Sequence, residues 1–434
     1  MKINIPDSSL PRIVIIGGGF GGLTLAIKLK GQPYQVVLLD KNNYHVFQPL
    51  LYQVATAQLE PSNIASPFRE LFESSPNLFF RMAEVSWVSA ETKVVETNIG
   101  NLSYDHLVIA TGAVTNFFGN SEVEKYSLAM KNLPEALDLR SVFLQNLEEA
   151  VNMETGDDQE SLLDLIVVGG GPTGVETAGA LAELKHHVYP SDYTELDFRR
   201  MDIYLIEAGA RLLPSMSEKS SERTKLYLEK LGVQVLLNTT VTNYDGRYAT
   251  LQGGRKILSS SMIWTAGVKG NPVAGLLKSS VTKGNRLTVG QYLQVVGYKG
   301  IFAIGDVAGV STFKQPTPHP MVAPVAMQQA KSLANNFRRR SIGKNPIPFK
   351  YVDKGSMATI GKNKAVVDFG KVHFKGIFAW FIWGVVHIMS LVEFRSRFVV
   401  FFSWAWSYLS SSKSIRLIIR PYQKRTLQQI PKAV

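Results

Sequence analysis

The sequence of 434 residues contains no cysteine. This absence excludes disulfide bonds, thiolate metal sites, cysteine-held iron–sulfur clusters and any redox-active thiol pair. It does not identify a compartment. Hydrophobic residues make up 45% and charged residues 19% of the chain, so it is neither disordered nor collagen-like. At roughly 100–200 residues per domain, this length predicts two or three domains.

Acidic residues are scarce in the last quarter of the sequence. From Lys331 onward there are 19 Lys and Arg against three acids, a net charge of 19 − 3 = +16. The first 330 residues carry 28 basic and 32 acidic residues, a net charge of −4. A basic tail indicates binding to nucleic acid or to an anionic membrane surface.

The start of the sequence also lacks a targeting signal. Its apolar run, Ile13–Ile16, ends in glycines and is too short for the core of a signal peptide. We therefore expect the bulk of the protein to stay on the side where it is made. No metal site is predicted either, because the adjacent pair His186 and His187 would point apart on a helix.

What the sequence does contain is an internal repeat. In its first copy, Arg12–Ile16 has the β-branched, non-alternating pattern of a buried strand. The glycine-rich turn Gly17–Gly22 and a helical pattern follow. A second strand, Gln35–Leu39, then ends at Asp40.

The second copy repeats this order. A strand at Leu165–Val168 precedes the turn Gly169–Gly174 and a helix at Val175–Leu184. A further strand, Asp202–Ile206, ends at Glu207. The longer spacing in this copy predicts a helical insertion at 185–200.

The repeated unit has the chemistry of a dinucleotide site. The first glycine permits a tight turn, the second lets the backbone approach a pyrophosphate, and the third lets helix and strand pack closely. An acid at the end of the second strand accepts hydrogen bonds from the ribose hydroxyls. The carboxylate of Glu207 would repel a 2′-phosphate, so the sequence favours NADH over NADPH.

Three other strand ends carry small residues. His106–Ile109 precedes Ala110-Thr111-Gly112, Gly300–Ile304 precedes Gly305-Asp306, and Met262–Thr265 precedes Ala266-Gly267. As a set these segments resemble the pattern of flavoproteins with two dinucleotide-binding domains. By that resemblance the first segment closes the sheet beneath the flavin, and Asp306 reaches the ribityl hydroxyls.

Within that superfamily of pyridine nucleotide-disulfide oxidoreductases, the chain most resembles the type II NADH:quinone oxidoreductases, from about Arg12 to Tyr408. The resemblance implies noncovalent FAD, NADH oxidation, reduction of a membrane quinone and no proton pumping. The lack of cysteine favours this choice, because related disulfide and sulfide:quinone reductases work through cysteines. The segments that carry the resemblance are Gly17–Gly22, Asn43–Tyr52, Gly169–Glu176, Ile206–Ala208, Trp264–Gly267, Gly305-Asp306 and Ala326–Gln329.

The resemblance also implies which residues bind the cofactors. These residues are Gly17, Gly18, Gly19, Phe20, Gly21, Gly22, Asp40, Lys41, His45, Val85, Thr111, Gly112, Asp306, Ala323, Gly169, Gly171, Gly174, Glu207 and Gly267.

Two residues are expected to be catalytic by the same resemblance. Glu176, in the first helical turn after the second glycine turn, would tune charge or deliver protons; alternatively it only complements the helix dipole. Gln328 ends a family motif near the quinone pocket, in which Pro324 here replaces the first glutamine. It could instead be an ordinary polar helix residue, or share the role with Gln329. For His45 a structural role is favoured over proton transfer.

The C-terminal quarter resembles a membrane anchor. Gly376–Val392 and Phe398–Ser412 lack charged residues except for one histidine, and four of the six tryptophans fall in these stretches. An interfacial anchor of two helices is favoured over a transmembrane span near 376–394 and over a dimer core. Basic residues after Ser412 would pair with anionic headgroups. The aromatic residues stand in apolar runs, which argues against nucleic acid.

We therefore predict an α/β fold with two Rossmann-like domains and a C-terminal membrane-binding segment. The FAD domain comprises 11–120 and 285–345, the NADH domain 160–275, and the anchoring or dimerisation region 346–434. The predicted protein is a homodimeric NADH:quinone oxidoreductase, peripheral on the cytoplasmic face of a bacterial inner membrane. The alternatives are a reductase of ferredoxin or rubredoxin and a non-enzymatic, NADH-responsive redox sensor.

Overall fold

The structure is a computed structural model that describes residues 1–310, 318–410, 416–418 and 422. The chain divides into two compact units, each assembled from three separate stretches. The stretches of unit 1 are Met1–Val46, Ala65–Val114 and Val268–Lys354. Those of unit 2 are Phe47–Ile64, Thr115–Gly267 and the described part of Gly355–Val434.

The strands are numbered in chain order. They are β1 (Arg12–Ile16), β2 (Gln35–Asp40), β3 (Tyr44–Val46), β4 (Ala65–Pro67), β5 (Leu78–Met82), β6 (Val85–Ser89), β7 (Val94–Thr97), β8 (Gly100–Ser103), β9 (His106–Ile109), β10 (Ala113–Thr115), β11 (Leu128–Ala129), β12 (Leu165–Val168), β13 (Ile203–Ile206), β14 (Val233–Leu236), β15 (Val241–Tyr244), β16 (Tyr248–Leu251), β17 (Lys256–Leu258), β18 (Ser261–Trp264), β19 (Val268–Gly270), β20 (Leu287–Val289), β21 (Ile301–Ala303), β22 (Ala308–Val310), β23 (Ser356–Gly361), β24 (Lys364–Phe369) and β25 (Val372–Lys375).

The helices are numbered in the same way. They are α1 (Phe20–Lys28), α2 (Leu51–Ala55), α3 (Pro61–Ile64), α4 (Phe68–Leu71), α5 (Ser121–Tyr126), α6 (Leu133–Ala150), α7 (Asp157–Leu163), α8 (Pro172–His187), α9 (Tyr189–Asp192), α10 (Glu218–Lys230), α11 (Ala323–Ser341), α12 (Gly376–Ser390) and α13 (Phe394–Ser410). Short 3₁₀ turns lie at Gln48–Leu50, Lys278–Ser280 and Gly305–Val307.

Unit 1 is built on a five-stranded parallel sheet with the order β21-β9-β1-β2-β5. Its central strand β1 is buried along almost its whole length, as a strand covered on both faces must be. Helices α1 and α11 pack against each other. Gly21 allows the close approach, because a Cβ there would lie 3.7 Å from the backbone oxygen of Ala326 on α11 and 3.3 Å from Ile304 Cγ1 after β21. Smaller sheets, β3-β4, β6-β7-β8 and β20-β22, lie in the same unit.

Unit 2 contains a second five-stranded parallel sheet, with the order β11-β18-β12-β13-β14. Its central strand β12 precedes the second glycine turn, and the neighbouring strand β13 ends before Glu207. In unit 1 the strands β1 and β2 hold the same two positions. The internal repeat predicted from the sequence is therefore a repeat of supersecondary structure.

The stretch 185–200 differs from the predicted helical insertion. Helix α8 runs on to His187, and only the single turn α9 is helical after it. Pro190 explains the break, because proline has no N–H and its ring clashes with the preceding turn of a continuing helix. Lys185 Nζ donates to the backbone oxygen of Met201 at 2.5 Å, which ties the two ends of this stretch together.

Unit 2 also contains the C-terminal antiparallel sheet β23-β24-β25. Helix α8 packs directly on β23, since a Cβ on Gly179 would lie 2.3 Å from the carbonyl oxygen of Ile360. The sequence-based boundary at 346 set the C-terminal region apart from the predicted NADH domain. In the structure, β23–β25 and that domain's sheet belong to one compact unit, together with Phe47–Ile64.

The C-terminal helices α12 and α13 have 15 and 17 residues. Extended backbone at Leu391 (ψ 140°) separates them. In the described ranges no helix is long and apolar enough to cross a membrane. Large apolar side chains are nevertheless exposed on both helices: Ile377, Phe378, Phe381, Val385, Val386, Met389, Phe394, Phe398, Phe401, Phe402 and Trp406.

Five basic residues after Ser412 are predicted to pair with lipid headgroups. Four of them, Lys413, Arg420, Lys424 and Arg425, lie outside the described residues. Arg416 instead contacts the protein itself: its Nε lies 2.6 Å from Asp192 Oδ2. Pairing of Arg416 with a lipid headgroup stays a prediction.

Candidate active site

The first glycine turn, Gly17–Gly22, is sterically fixed at both ends. Gly17 has φ +99°, and a Cβ there would lie 2.5 Å from the carbonyl oxygen of Ala110. A Cβ on Gly22 would lie 1.8 Å from the oxygen of Gly17, so only glycine lets the helix start pack on the strand end. Around Gly19 no atom lies within 4 Å of such a Cβ, which leaves the backbone accessible to a pyrophosphate.

The second glycine turn meets the same constraints. Gly169 has φ +112°, and its Cβ would lie 2.7 Å from the backbone of Ala266. A Cβ on Gly174 would lie 1.9 Å from the oxygen of Gly169, and the position at Gly171 is open. The two turns therefore have the same geometry, and each precedes a helix whose free N–H groups favour an anion.

The two strand-end acids bind these turns directly. Asp40 Oδ2 accepts a hydrogen bond from the Gly18 N–H at 2.6 Å. Glu207 Oε2 accepts one from the Gly170 N–H at the same distance, and its Oε1 accepts from the Gly209 N–H at 2.6 Å. Burial raises the pKa of Asp40, although hydrogen bonds from Asn42 and Gly18 partly offset this. Both acids therefore lie where a nucleotide ribose would meet the turn.

His45 is buried beneath the first turn. Its Nδ1 lies 2.9 Å from the oxygen of Gly18, which can only accept, so Nδ1 carries the proton in this contact. Burial lowers the pKa of His45, so the ring is neutral near pH 7. Its Nε2 is then an acceptor, and it is buried without a protein partner in the described structure. The Phe20 ring packs edge-on against the imidazole at 5.3 Å.

Other predicted residues of unit 1 lie at the same edge of the parallel sheet. Thr111 and Gly112 follow β9, and Asp306 follows β21, so all lie at the carboxyl ends of their strands, where ligands of such sheets bind. Lys41 is exposed directly after Asp40. Ala323 is the first residue of α11. Val85, by contrast, opens β6 in the separate antiparallel sheet.

The sequence analysis did not single out Arg286. It is buried in unit 1, where its guanidinium donates to the oxygens of His319 at 2.9 Å and Ala308 at 2.6 Å. Burial lowers the pKa of Arg286, and the negative charge of Asp306 partly restores it. A single arginine between strands carries no recognisable sequence signal, so only the fold could reveal this charge beside Asp306.

Gln329 is the buried glutamine of the predicted quinone motif. Its Oε1 accepts the N–H of Gly305 at 2.7 Å, and its Nε2 is buried without a partner in the described part of the chain. The half-buried Gln328 instead binds Val352: its Nε2 donates to the Val352 oxygen at 2.9 Å, and its Oε1 accepts the Val352 N–H at 3.0 Å. These contacts give Gln328 a structural role, and its catalytic role stays a prediction.

In unit 2, Gly267 lies at the end of β18 in an aromatic cluster. A Cβ on Gly267 would lie 2.9 Å from the Phe118 ring, and the Gly267 oxygen accepts the N–H of Asn116 at 3.0 Å. Trp264 Nε1 donates to the Asn116 oxygen at 2.8 Å. The adjacent residue Ala266 packs against Gly169, so Gly267 lies next to a residue that contacts the second glycine turn.

Glu176 is the most strongly perturbed carboxyl of the predicted site. It lies in α8, and its residue surface is only 7% exposed. Burial raises the pKa of Glu176 to about 8, with the Thr359 N–H at 3.4 Å and the indole of Trp383 partly offsetting the effect. The side chain is therefore protonated at neutral pH and can exchange a proton in the physiological range.

The carboxyl of Glu176 lines a cavity of about 220 Å³ within unit 2. The cavity is mostly apolar, with convergent polar groups, which is the composition of a small-molecule site. Gln53 links two of its walls: its Nε2 donates to the Tyr52 hydroxyl at 2.9 Å, and its Oε1 accepts from Trp404 Nε1 at 2.8 Å. Trp383 and Trp404 stack at 5.2 Å.

Comparison with known protein families accounts for both parts of the chain. Residues 11–330 match the family of pyridine nucleotide-disulphide oxidoreductases, and residues 354–412 match the NDH2 C-terminal domain.

Individual relatives agree with this result. A type II NADH:quinone oxidoreductase of Mycobacterium tuberculosis is 35% identical over 93% of this chain and 89% of the relative. The type II NADH:quinone oxidoreductase of Staphylococcus aureus is 29% identical over 83% of this chain and 90% of its own. The solved structure of NDH2 from Plasmodium falciparum in complex with NADH is similar, with a TM-score of 0.86, 25% identity, and coverage of 92% and 98% of the two chains.

Proposed function

This chain belongs to the pyridine nucleotide-disulphide oxidoreductases and, within them, to the type II NADH:quinone oxidoreductases, and we propose that it uses noncovalent FAD to reduce a membrane quinone without pumping protons. The observation that carries the proposal is the pair of equivalent glycine turns, each bound by a strand-end carboxylate at 2.6 Å. Two such sites in a chain without thiols fit one flavin and one nicotinamide nucleotide. Bound FAD would supply the two-electron redox chemistry that links NADH oxidation to quinone reduction.

The residues of unit 1 fit FAD. The turn at Gly17–Gly22 would hold the pyrophosphate, and Asp40 the ribose. The unpartnered Nε2 atoms of His45 and Gln329 offer one acceptor and one donor for the polar groups of the cofactor. Asp306, after the end of β21, would accept hydrogen bonds from the ribityl hydroxyls.

The residues of unit 2 fit NADH. The turn at Gly169–Gly174 would hold the pyrophosphate, and the carboxylate of Glu207 the ribose diol. That carboxylate disfavours the 2′-phosphate of NADPH. Gly267 would border the nucleotide at the end of β18.

Glu176 would supply the proton chemistry. Reduction of a quinone to the quinol consumes two protons, and a carboxyl with a pKa of about 8 can donate one of them at neutral pH. The cavity that it lines contains Tyr52 and Trp383, whose rings suit a flat quinone head. We propose Glu176 as the proton donor. A role of Gln328 in quinone binding rests on the family motif alone, since its amide binds Val352.

The exposed apolar side chains of α12 and α13 would lie in the membrane interface. Quinone is insoluble in water, so an enzyme that reduces it gains from contact with one leaflet. Tryptophan and phenylalanine on these helices suit that interface. We place the protein on the cytoplasmic face of a bacterial inner membrane, as a homodimer.

Anaerobic stopped-flow absorbance tests the electron path. Purified full-length protein in detergent is mixed with NADH and then with a short-chain quinone. We expect NADH to bleach the flavin band and quinone to restore it within the turnover time. Bleaching without recovery would refute quinone as the acceptor, and a folded protein that binds no FAD would refute the proposal entirely.

Proton pumping is tested separately. The protein is reconstituted in quinone-containing vesicles with an internal pH dye, and NADH is added outside. We expect NADH to be oxidised while the internal pH shows no uncoupler-sensitive change. Such a change would contradict this part of the proposal. The buried carboxyl of Glu176 would then need to be considered part of a transmembrane proton path.

A further inference from the structure

A second cavity, of about 350 Å³, lies in unit 2 between helix α10 and the hairpin β24–β25. Its charged lining is Lys219, Glu222 and Arg223 from the helix, with His373 and Lys375 from the hairpin. The two lysines and the arginine give +3 and Glu222 gives −1, so the cavity has an excess of two positive charges before His373 is considered. The reaction assigned above uses none of these residues.

The positive charges are arranged by the local structure. Lys219 and Arg223 are four residues apart on α10, so they project from one helix face. His373 and Lys375 are two residues apart on β25, so they project from one face of the hairpin. Residues from both elements line the cavity.

Asp368 links helix α10 to strand β25 beside the cavity, and its negative charge offsets part of the positive charge next to His373. It accepts hydrogen bonds from the Ser217 N–H at 2.7 Å and from the Ser220 hydroxyl at 2.7 Å, both at the start of α10. It also binds His373 Nδ1 at 2.8 Å. Lys219, Arg223 and Lys375, by contrast, form no ion pair within the described chain, so their charges remain available to a ligand.

The cavity borders the exposed apolar surface of the C-terminal helices. Lys375 is followed immediately by Gly376, the first residue of α12. The ring of Phe374, which lines the cavity, contacts the ring of Phe378 at 5.2 Å, and Phe378 is 57% exposed. A ligand with an anionic head and an apolar tail could therefore place its head in the cavity and its tail along α12.

We propose that this cavity binds the phosphodiester headgroup of an anionic phospholipid, with its acyl chains against the exposed face of α12. The guanidinium of Arg223 and the ammonium groups of Lys219 and Lys375 would pair with the phosphate oxygens. Glu222 would accept a hydrogen bond from a headgroup hydroxyl. The site rests on the proposed membrane association and makes that association selective for lipids of negative charge.

Vesicle flotation of the full-length protein tests the site. The variant Lys219→Gln/Arg223→Gln removes two cavity charges, and Arg255→Gln/Lys256→Gln removes two exposed charges elsewhere in unit 2. With vesicles that contain phosphatidylglycerol, the cavity variant should bind roughly 25-fold more weakly than the unmodified protein, at about fivefold per charge. The control variant should lose at most about twofold. With pure phosphatidylcholine vesicles all three proteins should bind alike.

Equal losses for the two variants, or no loss for the cavity variant, would overturn the proposal. A third arm measures the melting temperature in detergent with inorganic phosphate. If phosphate stabilises the unmodified protein but not the cavity variant, and vesicle binding does not depend on the cavity, the site holds free phosphate and the lipid assignment is wrong.

The proposed enzymatic function is tested by a separate measurement, the quinone reductase activity in detergent. Both double variants should oxidise NADH with a short-chain quinone in detergent at the unmodified rate. If the unmodified protein lacks this activity, the enzyme proposal fails, whatever the vesicles show. If it has the activity but floats with neither vesicle type, the membrane proposal and the lipid site fail together.

Discussion

The indole N–H of Trp404 donates to the side-chain oxygen of Gln53 at 2.8 Å, across 351 positions of the chain. The same amide donates to the hydroxyl of Tyr52 at 2.9 Å. One glutamine thus ties helix α13 to helix α2 at the wall of the Glu176 cavity. The position of a C-terminal helix and the shape of the candidate quinone site depend on the same hydrogen bond.

The variant Trp404→Phe tests this link. It keeps an aromatic ring but removes the donor, so we expect the free energy of unfolding to fall by about 1 kcal/mol. The KM for quinone should rise several-fold, while NADH oxidation with a soluble one-electron acceptor stays unchanged. Trp87→Phe is the matched control, because Trp87 is 48% exposed in unit 1. An unchanged KM for quinone would show that the bond does not shape the site.

Glu176→Gln tests the proton donor. The amide keeps the shape but cannot donate an acidic proton, so we expect kcat with quinone to fall by about 10²-fold or more. In the unmodified protein, quinone reduction should fall as the pH rises through about 8, because the donor is then ionised. Stopped-flow reduction by NADH should persist in the variant. Glu229→Gln, on α10 and outside the cavity lining, is the control.

The same carboxyl makes a prediction about stability. Its pKa rises from 4.5 to about 8 on folding, so between these values the folded state binds more protons than the unfolded state. The free energy of unfolding should therefore decrease as the pH rises from about 4.5 to about 8, through this group alone. Thermal unfolding of Glu176→Gln should lack that component. A parallel pH dependence for both proteins would contradict the raised pKa.

Glu207→Gln tests the choice of nucleotide. Loss of the charged acceptor should lower kcat/KM for NADH about tenfold to a hundredfold, as expected for hydrogen bonds to a charged group. The value for NADPH should rise, because the repulsion of its 2′-phosphate disappears. Asp40→Asn is the control: it should weaken FAD retention and leave the NADH-to-NADPH ratio unchanged. An unaltered ratio in Glu207→Gln would place the ribose elsewhere.

Two glycine variants separate the two nucleotide sites. A Cβ at position 22 or 174 would lie within 2 Å of a carbonyl oxygen, so each alanine must push its helix away from its strand. We expect Gly22→Ala to lose FAD, and Gly174→Ala to keep FAD but lose reduction by NADH. Gly156→Ala should change neither, because a Cβ there meets no atom within 4 Å. Loss of FAD in Gly174→Ala would contradict this assignment.

The sequence was sufficient for the parts of the fold that depend on neighbouring residues. Strand, glycine turn, helix and acid lie within about forty residues of one another in each repeat, so their spacing predicted both parallel sheets. The pKa of Glu176 is raised by burial and partly lowered by hydrogen bonds from Thr359 and Trp383, which lie more than 180 residues further along the chain. No local pattern contains that information.

For Gln328 and Gln329, the helical spacing of apolar residues in the sequence already indicates which glutamine is buried. In α11 the residues Ala326, Ala330 and Leu333 recur with helical spacing and are all buried. That period puts position 329 on the buried face and position 328 beside it. The helical pattern therefore predicts that Gln329 faces the core, whereas the family motif predicts a role for Gln328.

Each unit is assembled from three separate stretches, so neither unit can finish folding until its last stretch has been synthesised. Ribosomes add about 5–20 residues per second, so β9 exists for roughly ten seconds or more before its neighbour β21 is made. Phe47–Ile64 stays without its C-terminal partners in unit 2 for longer still. Among the described helices the apolar α12 and α13 emerge last, after every residue of unit 1, so the surface suited to lipid is exposed only after unit 1 has been synthesised.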